Sequence, residues 1–161
     1  EHLELHLGAP VLGDRRGGGV QAAGQVPAQA VVEEGARPVL RKNKLINNKL
    51  VAVGVTGGAQ VVITENELAR EGGAPPLIAV LEDSSAEITG NTIRGGGVAG
   101  VLIKGSATVR GNHFIAMSAK ASNAIWVHSG GSLKLGSNKV EGWQREVNAA
   151  KQARVIDETK Q

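Results

Sequence analysis

The sequence contains no cysteine and no tyrosine, and aromatic residues make up only 2% of its 161 residues. The absence of cysteine excludes disulfide bonds and thiolate metal sites. Because Phe114, Trp126 and Trp143 are the only aromatic residues, the core must be built from Val, Ile, Leu and Ala. Hydrophobic residues nevertheless reach 41% of the chain, which excludes a disordered polypeptide.

Long apolar runs and clustered charge are also missing. No run of about 18 apolar residues occurs, so we expect no transmembrane helix and no membrane insertion. The first ten residues, EHLELHLGAP, do not resemble a signal peptide, and the chain has no Asn-x-Ser/Thr acceptor; an intracellular location is therefore preferred, although the compartment stays open. The net charge is only +3 and the basic residues are dispersed, so we expect no nucleic-acid partner.

What the sequence does contain is a repeat. An Asn that stands two residues before an apolar residue recurs at intervals of 21 to 26 residues. A branched aliphatic residue stands three positions before each Asn, and a short alternating apolar run followed by a small-residue turn lies further upstream. The five repeated residues are Asn43, Asn66, Asn91, Asn112 and Asn138.

The period and the alternation together predict a fold. Alternation with a period of two, punctuated by Gly, Ser and Asn, predicts strands throughout. A repeat in the low twenties without helices is typical of a parallel β-helix, in which each coil pairs with its neighbours. We therefore predict an all-β, single-stranded parallel β-helix of about six coils over residues 1–143. Each Asn is expected to lie at a corner in the left-handed backbone conformation, and the stacked amides are expected to form a ladder.

The C-terminal residues 144–161 do not follow the repeat. They include EVNAAKQARVIDETKQ, which has high helix propensity and no turn residues. Val147, Ala150, Ala153 and Ile156 would form a narrow apolar face on such a helix. We predict a short helix that caps the end of the solenoid or folds back along its side, with a frayed terminus as the alternative.

Four segments carry a family resemblance: GARPVLRKNKL from 35, VVITENEL from 61, AEITGNTI from 86 and ATVRGNHF from 107. They resemble right-handed parallel β-helix proteins of the pectin-lyase-like superfamily. More narrowly, they resemble the CASH-type repeats of F-box and Shc-binding proteins and of bacterial carbohydrate-active proteins. The resemblance covers roughly residues 30–143 and implies a right-handed solenoid. It implies no single function, because this scaffold hosts lyases, hydrolases, epimerases and non-catalytic binding modules.

Enzymes of this class would need clustered carboxylates for acid–base chemistry or for Ca²⁺ binding. When the repeats are aligned, the outward faces of the strands before the five asparagines carry one carboxylate in total, Glu87. We expect Glu87 to form an ion pair with Arg110 of the next coil. His113 and His128 lack partners at metal-ligand spacing and are expected on the surface. We therefore predict no catalytic residue, no cofactor and no metal, and favour a non-enzymatic role without excluding an enzyme. The aligned outward columns are Val39, Val62, Glu87, Thr108 and Lys134, and Arg41, Thr64, Thr89, Arg110 and Gly136.

The strand that begins each repeat offers a second surface. If its regular aliphatic residues point inward, Gly54, Leu102 and Trp126 point outward, with Ala79 nearby. An exposed apolar patch that includes Trp is typical of interaction sites. We expect Leu102, Trp126 and His128 to bind a protein partner. Cover by the C-terminal residues or by Trp143, and stacking on a sugar ring, are the alternatives.

These observations favour a non-catalytic recognition or scaffold module, as part of a larger protein or complex, that binds a protein partner. The alternative is a carbohydrate-binding or polysaccharide-processing protein. It would use the face that contains Arg41, Thr64, Glu87, Thr89 and Arg110. A third interpretation is an architectural subunit whose ends stack on other chains.

Overall fold

The computed structural model describes residues 37–47 and 50–160 in full, and the backbone of four earlier strands at 2–6, 11–12, 19–20 and 30–32. These residues form twenty strands and one short 3-10 helix, Glu158–Lys160. In chain order the strands are His2–His6 (β1), Val11–Leu12 (β2), Gly19–Val20 (β3), Ala30–Val32 (β4), Arg37–Arg41 (β5), Lys44–Ile46 (β6), Val53–Val55 (β7), Gln60–Thr64 (β8), Glu67–Ala69 (β9), Ile78–Val80 (β10), Ser85–Thr89 (β11), Thr92–Gly95 (β12), Ala99–Ile103 (β13), Ser106–Arg110 (β14), His113–Ala116 (β15), Asn123–Val127 (β16), Ser132–Leu135 (β17), Lys139–Glu141 (β18), Arg145–Ala149 (β19) and Arg154–Asp157 (β20).

The strands stack into three sheets that form the walls of a solenoid. Sheet A has the order β1-β5-β8-β11-β14-β17-β20, sheet B the order β19-β16-β13-β10-β7-β4-β2-β3, and sheet C the order β18-β15-β12-β9-β6. Neighbouring strands are parallel except for the antiparallel pair β2 and β3. From β4 to β18, five consecutive coils supply one strand to each sheet, and incomplete coils extend both ends. The predicted parallel β-helix and its approximate number of coils are therefore confirmed.

Aliphatic side chains fill the interior in columns. In sheet A, the residues three positions before each Asn pair in register along neighbouring strands. Because each inward residue stacks on its equivalent in the next coil, no coil could bury its apolar face alone. Phe114 occupies the same kind of column in sheet C and is fully buried. The buried column of sheet A consists of Leu40, Ile63, Ile88, Val109 and Leu135.

The repeated asparagines form the predicted ladder. In each rung, the backbone N–H and the side-chain Nδ2 donate to Oδ1 of the next Asn, as Asn66 does to Asn91 at 2.9 and 3.0 Å. The same Nδ2 also donates to a carbonyl of the previous coil, as Asn91 does to Ile63 at 2.8 Å. The amides are buried from Asn43 to Asn112, so these hydrogen bonds satisfy groups that water does not reach.

At four of the five corners the left-handed residue is not the Asn but the residue before it, so the expected backbone conformation of Asn was wrong. Lys42 and Glu65 have φ values of 58° and 56°, and Gly90 and Gly111 have values of 67° and 68°. The turn of the chain is completed one residue early, which leaves the Asn free to point inward and join the ladder. A Gly at two of the four corners fits this backbone without a steric penalty.

The helix predicted for the C-terminal residues is wrong from 145 to 157. β19 pairs with β16 and places Val147 opposite Ile125, while β20 pairs with β17 and places Val155 opposite Leu133. Helix propensity is overridden because these residues complete the open edges of sheets A and B. Helical structure at this end is confined to Glu158–Lys160. Within the described residues, no helix is long and apolar enough to cross a membrane.

Candidate binding surfaces

The outward side of sheet A presents side chains in straight columns, as the aligned repeats predicted. Strand pairing places Glu87 between Val62 and Thr108, and Thr89 between Thr64 and Arg110. Neighbouring parallel strands lie about 4.8 Å apart, so each column is a regular ladder of side chains. We call the outward residues of β5, β8, β11, β14, β17 and β20 the sheet A face.

A groove of about 540 Å³ crosses the sheet A face. It lies over the first two columns of outward residues. Of the five residues predicted for a carbohydrate surface, Glu87 lines the groove, while Arg41, Thr64, Thr89 and Arg110 form the adjacent column. The lining residues are Arg37, Pro38, Gln60, Val61, Val62, Ser85, Ala86, Glu87, Ser106, Ala107, Thr108, Ser132 and Lys134.

The first column of this groove was not among the residues predicted from the sequence. Gln60, Ser85, Ser106 and Ser132 pair in register at the start of successive strands. Counting six residues back from Asn66, Asn91, Asn112 and Asn138 reaches all four positions, so the repeat contained the signal. They were overlooked because only the positions two and four residues before each Asn were aligned.

Among the described residues, two outward arginines of the sheet A face form cross-coil ion pairs. Arg110 Nη2 lies 3.5 Å from the carboxylate of Glu87, as predicted, and Arg41 Nε lies 3.4 Å from that of Glu65. The side chains of all four residues are roughly 40–50% exposed. Exposed pairs of this kind typically contribute about 0.2–1 kcal/mol, so a charged ligand would compete with them at little cost.

A second surface lies on sheet B. Strand pairing places Trp126 between Leu102 and Asn148, and Leu102 next to Ala79. The rings of Trp126 and His128 have centroids 4.5 Å apart and are tilted by 56°. We call Leu102, Trp126 and His128 the Trp126 cluster; all three side chains are half-buried.

The surroundings of the Trp126 cluster bear on what covers it. β19 lies beside Trp126 in the sheet and contributes Asn148, yet Trp126 stays half-exposed. Trp143 is 8% exposed and packs in the hydrophobic core. His128, expected to be a surface residue, is half-buried, and its Nε2 atom is enclosed without a hydrogen-bond partner among the described residues. The Trp126 cluster is therefore a partly exposed patch whose side chains are half-buried in the wall of the solenoid.

Sheet C carries a small charged group that spacing did not predict. His113 Nε2 hydrogen-bonds to the carboxylate of Glu141, which also lies 3.8 Å from Lys139 Nζ. The hydrogen bond from His113 is the main reason that the pKa of Glu141 is held below its ordinary value. The sequence has no acidic partner for His113 at metal-ligand spacing, but coil stacking supplies one from β18. Among the described residues, no group of three His, Asp or Glu side chains could hold a metal ion.

Comparison with known proteins agrees with the architecture. The family model described as right-handed β-helix region matches residues 26–142, which is more than half of the chain. No curated protein and no solved structure matches the chain. The narrower resemblance to CASH-type repeats stays a prediction.

Proposed function

Since the chain belongs to the right-handed β-helix family, we propose that it is a non-catalytic recognition domain that presents a rigid solenoid wall to a protein partner. The Trp126 cluster carries this proposal. It combines a Trp, an aliphatic residue and an imidazole at neighbouring positions of adjacent strands. Large aromatic side chains anchored in this way are enriched among the residues that dominate binding energy.

Rigidity supports the same role. The residues before and after Trp126 are Ile125 and Val127, and both are fully buried in the core. Strands on both sides, β13 and β19, hold the backbone of β16 in register. A side chain mounted on such a backbone loses little conformational freedom when a partner binds, so more of its contact energy becomes affinity.

The experiment is a comparison of two apolar truncations on different faces. Proteins captured by the immobilised domain are identified and purified, and their affinity is measured for wild type, Trp126→Ala and the control Ile156→Ala. Ile156 is 42% exposed and lies on sheet A. We expect Trp126→Ala to weaken binding by about tenfold or more and Ile156→Ala to leave it unchanged. Equal affinity for all three proteins would refute a binding site at Trp126.

Carbohydrate binding is a second candidate, favoured by the groove on the sheet A face. Its serine and threonine hydroxyls and the amide of Gln60 are groups that hydrogen-bond sugars. Calorimetric titration with neutral and acidic oligosaccharides tests it, with Arg110→Ala and Thr89→Val as variants beside the groove. Binding that these variants weaken would support a saccharide site, and the absence of heat with every oligosaccharide would refute it.

A further inference from the structure

The sheet A face carries a strong excess of positive charge. Among its described outward residues, five are Arg or Lys and one, Glu87, is acidic. Arg41 and Arg110 have carboxylate partners at 3.4 and 3.5 Å. Within the described part of the chain, the other three form no ion pair: Arg37, Lys134 and Arg154.

These three cations frame the groove. Arg37 lines it on β5, Lys134 lines it on β17, and Arg154 lies next to Ser132 one strand further. β5 and β17 are four strand steps apart, which corresponds to about 19 Å. An extended peptide of about six residues spans that distance.

The floor between the cations is suited to a polypeptide backbone. The hydroxyls of Ser85, Ser106 and Ser132 form no hydrogen bond within the described residues, and a hydroxyl both donates and accepts. Val62 adds an aliphatic surface in the next column. No aromatic side chain is among the residues that line the groove, so a sugar ring would find no stacking platform there.

We propose that this groove binds an extended, acidic segment of a polypeptide. Carboxylates of the segment pair with Arg37 at one end and with Lys134 and Arg154 at the other, while the serine hydroxyls contact its backbone. Glu87 is the single carboxylate among the described outward residues, and it lies in the second column, where Arg110 is 3.5 Å from it on the side away from the serines. The proposal rests on the recognition role proposed above and assigns a second surface to it, on a different sheet from the Trp126 cluster.

The experiment measures fluorescence anisotropy of a labelled ten-residue peptide of alternating Glu and Ser, with a Lys-and-Ser peptide as its matched control. Titrations at about 20 mM and about 300 mM salt separate ionic binding from other binding. Protein variants are Arg37→Glu and Lys134→Glu in the groove. Lys120→Glu is the control. Lys120 is exposed on a loop, and its substitution changes the net charge by the same amount as Arg37→Glu or Lys134→Glu.

We expect only the Glu peptide to bind, and we expect each groove variant to lower its affinity by about tenfold while Lys120→Glu changes it by less than about twofold. Absence of binding at low salt, or an equal loss with Lys120→Glu, would overturn the proposal. Tighter binding of an oligogalacturonate than of the Glu peptide would assign the groove to saccharides instead.

A further variant keeps the two proposals apart. Trp126→Ala is expected to bind the Glu peptide like wild type, because Trp126 lies on sheet B. If Trp126→Ala loses its captured partner but keeps the peptide, both surfaces are active. If peptide binding fails while capture still depends on Trp126, the groove proposal alone is refuted. If Trp126→Ala loses the peptide as well, the two surfaces are not independent and the groove assignment is wrong.

Discussion

At the scale of single residues, one amide per coil completes hydrogen bonds in two directions. Oδ1 of Asn91 accepts from Asn66, and Nδ2 of Asn91 donates to the carbonyl of Ile63 and to Asn112. A hydroxyl or an aliphatic side chain could not supply one acceptor and two donors in this geometry. A left-handed residue precedes Asn91 and three of the other four asparagines, so the corner and the ladder occur together in these coils.

Replacing an Asn in the middle of the ladder should therefore lower the stability of the protein. In Asn91→Leu, the buried N–H and Nδ2 of Asn66 lose their acceptor and the carbonyl of Ile63 loses a donor. We expect a loss of about 3 kcal/mol in the free energy of unfolding, measured by urea denaturation. Asn138→Leu is the control, because Asn138 is half-exposed and water can replace its hydrogen bonds. Equal losses at the two positions would contradict the importance of burial.

The contribution of the left-handed corner conformation to stability can be measured separately from that of side-chain packing. A Cβ at Gly90 would meet no atom closer than 3.9 Å, so Gly90→Ala is opposed only by the φ of 67°. We expect this variant to lose about 1 kcal/mol of stability. Gly54→Ala is the matched control, since its Cβ has no atom within 4 Å and its φ is not in the left-handed region. A loss of similar size at Gly54 would show that backbone conformation is not the cause.

At the scale of elements, strands are stabilised by the coils on either side more than by their own propensity. β19 and β20 illustrate this, since a segment with helix-favouring composition is extended where it continues two sheets. Val147 of β19 and Ala153, the residue before β20, pack against the core. The last strands therefore cover the hydrogen-bonding edge and the apolar core of the preceding coil.

Deleting residues 145–161 tests this protection. The deletion uncovers β16 and β17, so we expect a lower unfolding temperature, and a far-UV circular dichroism spectrum typical of β-strands both before and after the deletion. In a Trp143→Phe background, fluorescence of Trp126 should shift to the red, because Asn148 no longer flanks it. A large loss of helical signal on deletion would contradict the strand assignment.

The His113–Glu141 contact joins two strands of sheet C and makes the stability of the folded protein depend on pH. Because the hydrogen bond from His113 lowers the pKa of Glu141, the unfolded state binds this proton more readily than the folded state. The contact therefore stabilises the protein above about pH 4.3, and this contribution is lost as pH falls through the lower folded value.

The measurement compares urea midpoints of wild type and Glu141→Gln. We expect wild type to be the more stable near pH 6 and the difference to shrink as the pH falls below about 4.3. Glu146→Gln is the control, because Glu146 is exposed and forms no ion pair within the described residues. A difference between wild type and Glu141→Gln that does not change with pH would contradict the coupling.

At the scale of the whole molecule, the solenoid is nearly one-dimensional, because each coil contacts mainly the coils before and after it. Stability then depends on the number of intact inter-coil interfaces around a given strand. β11 and β14 have partners on both sides within complete coils, whereas β18, β19 and β20 are the last strands of their sheets.

Amide hydrogen exchange should show this gradient. We expect the slowest exchange in β11 and β14 and the fastest in β18 to β20, since partial unfolding from the C-terminal end breaks the fewest interfaces. Mass spectrometry of peptic fragments would measure it. Uniform protection from β11 to β20 would mean that the described coils unfold as one cooperative unit.

The repeat in the sequence is sufficient to predict the solenoid, its inward columns and the amide ladder. Each coil repeats one short pattern, so aligning Asn43 to Asn138 also aligns the five strands of sheet A from β5 to β17. The identity of the left-handed residue, the extended C-terminal segment and the contact of His113 with Glu141 depend on tertiary structure. Propensity describes a segment in isolation, whereas these features arise when one coil supplies hydrogen-bond edges and charges to another. The groove and its bordering cations likewise exist only once five strands lie side by side.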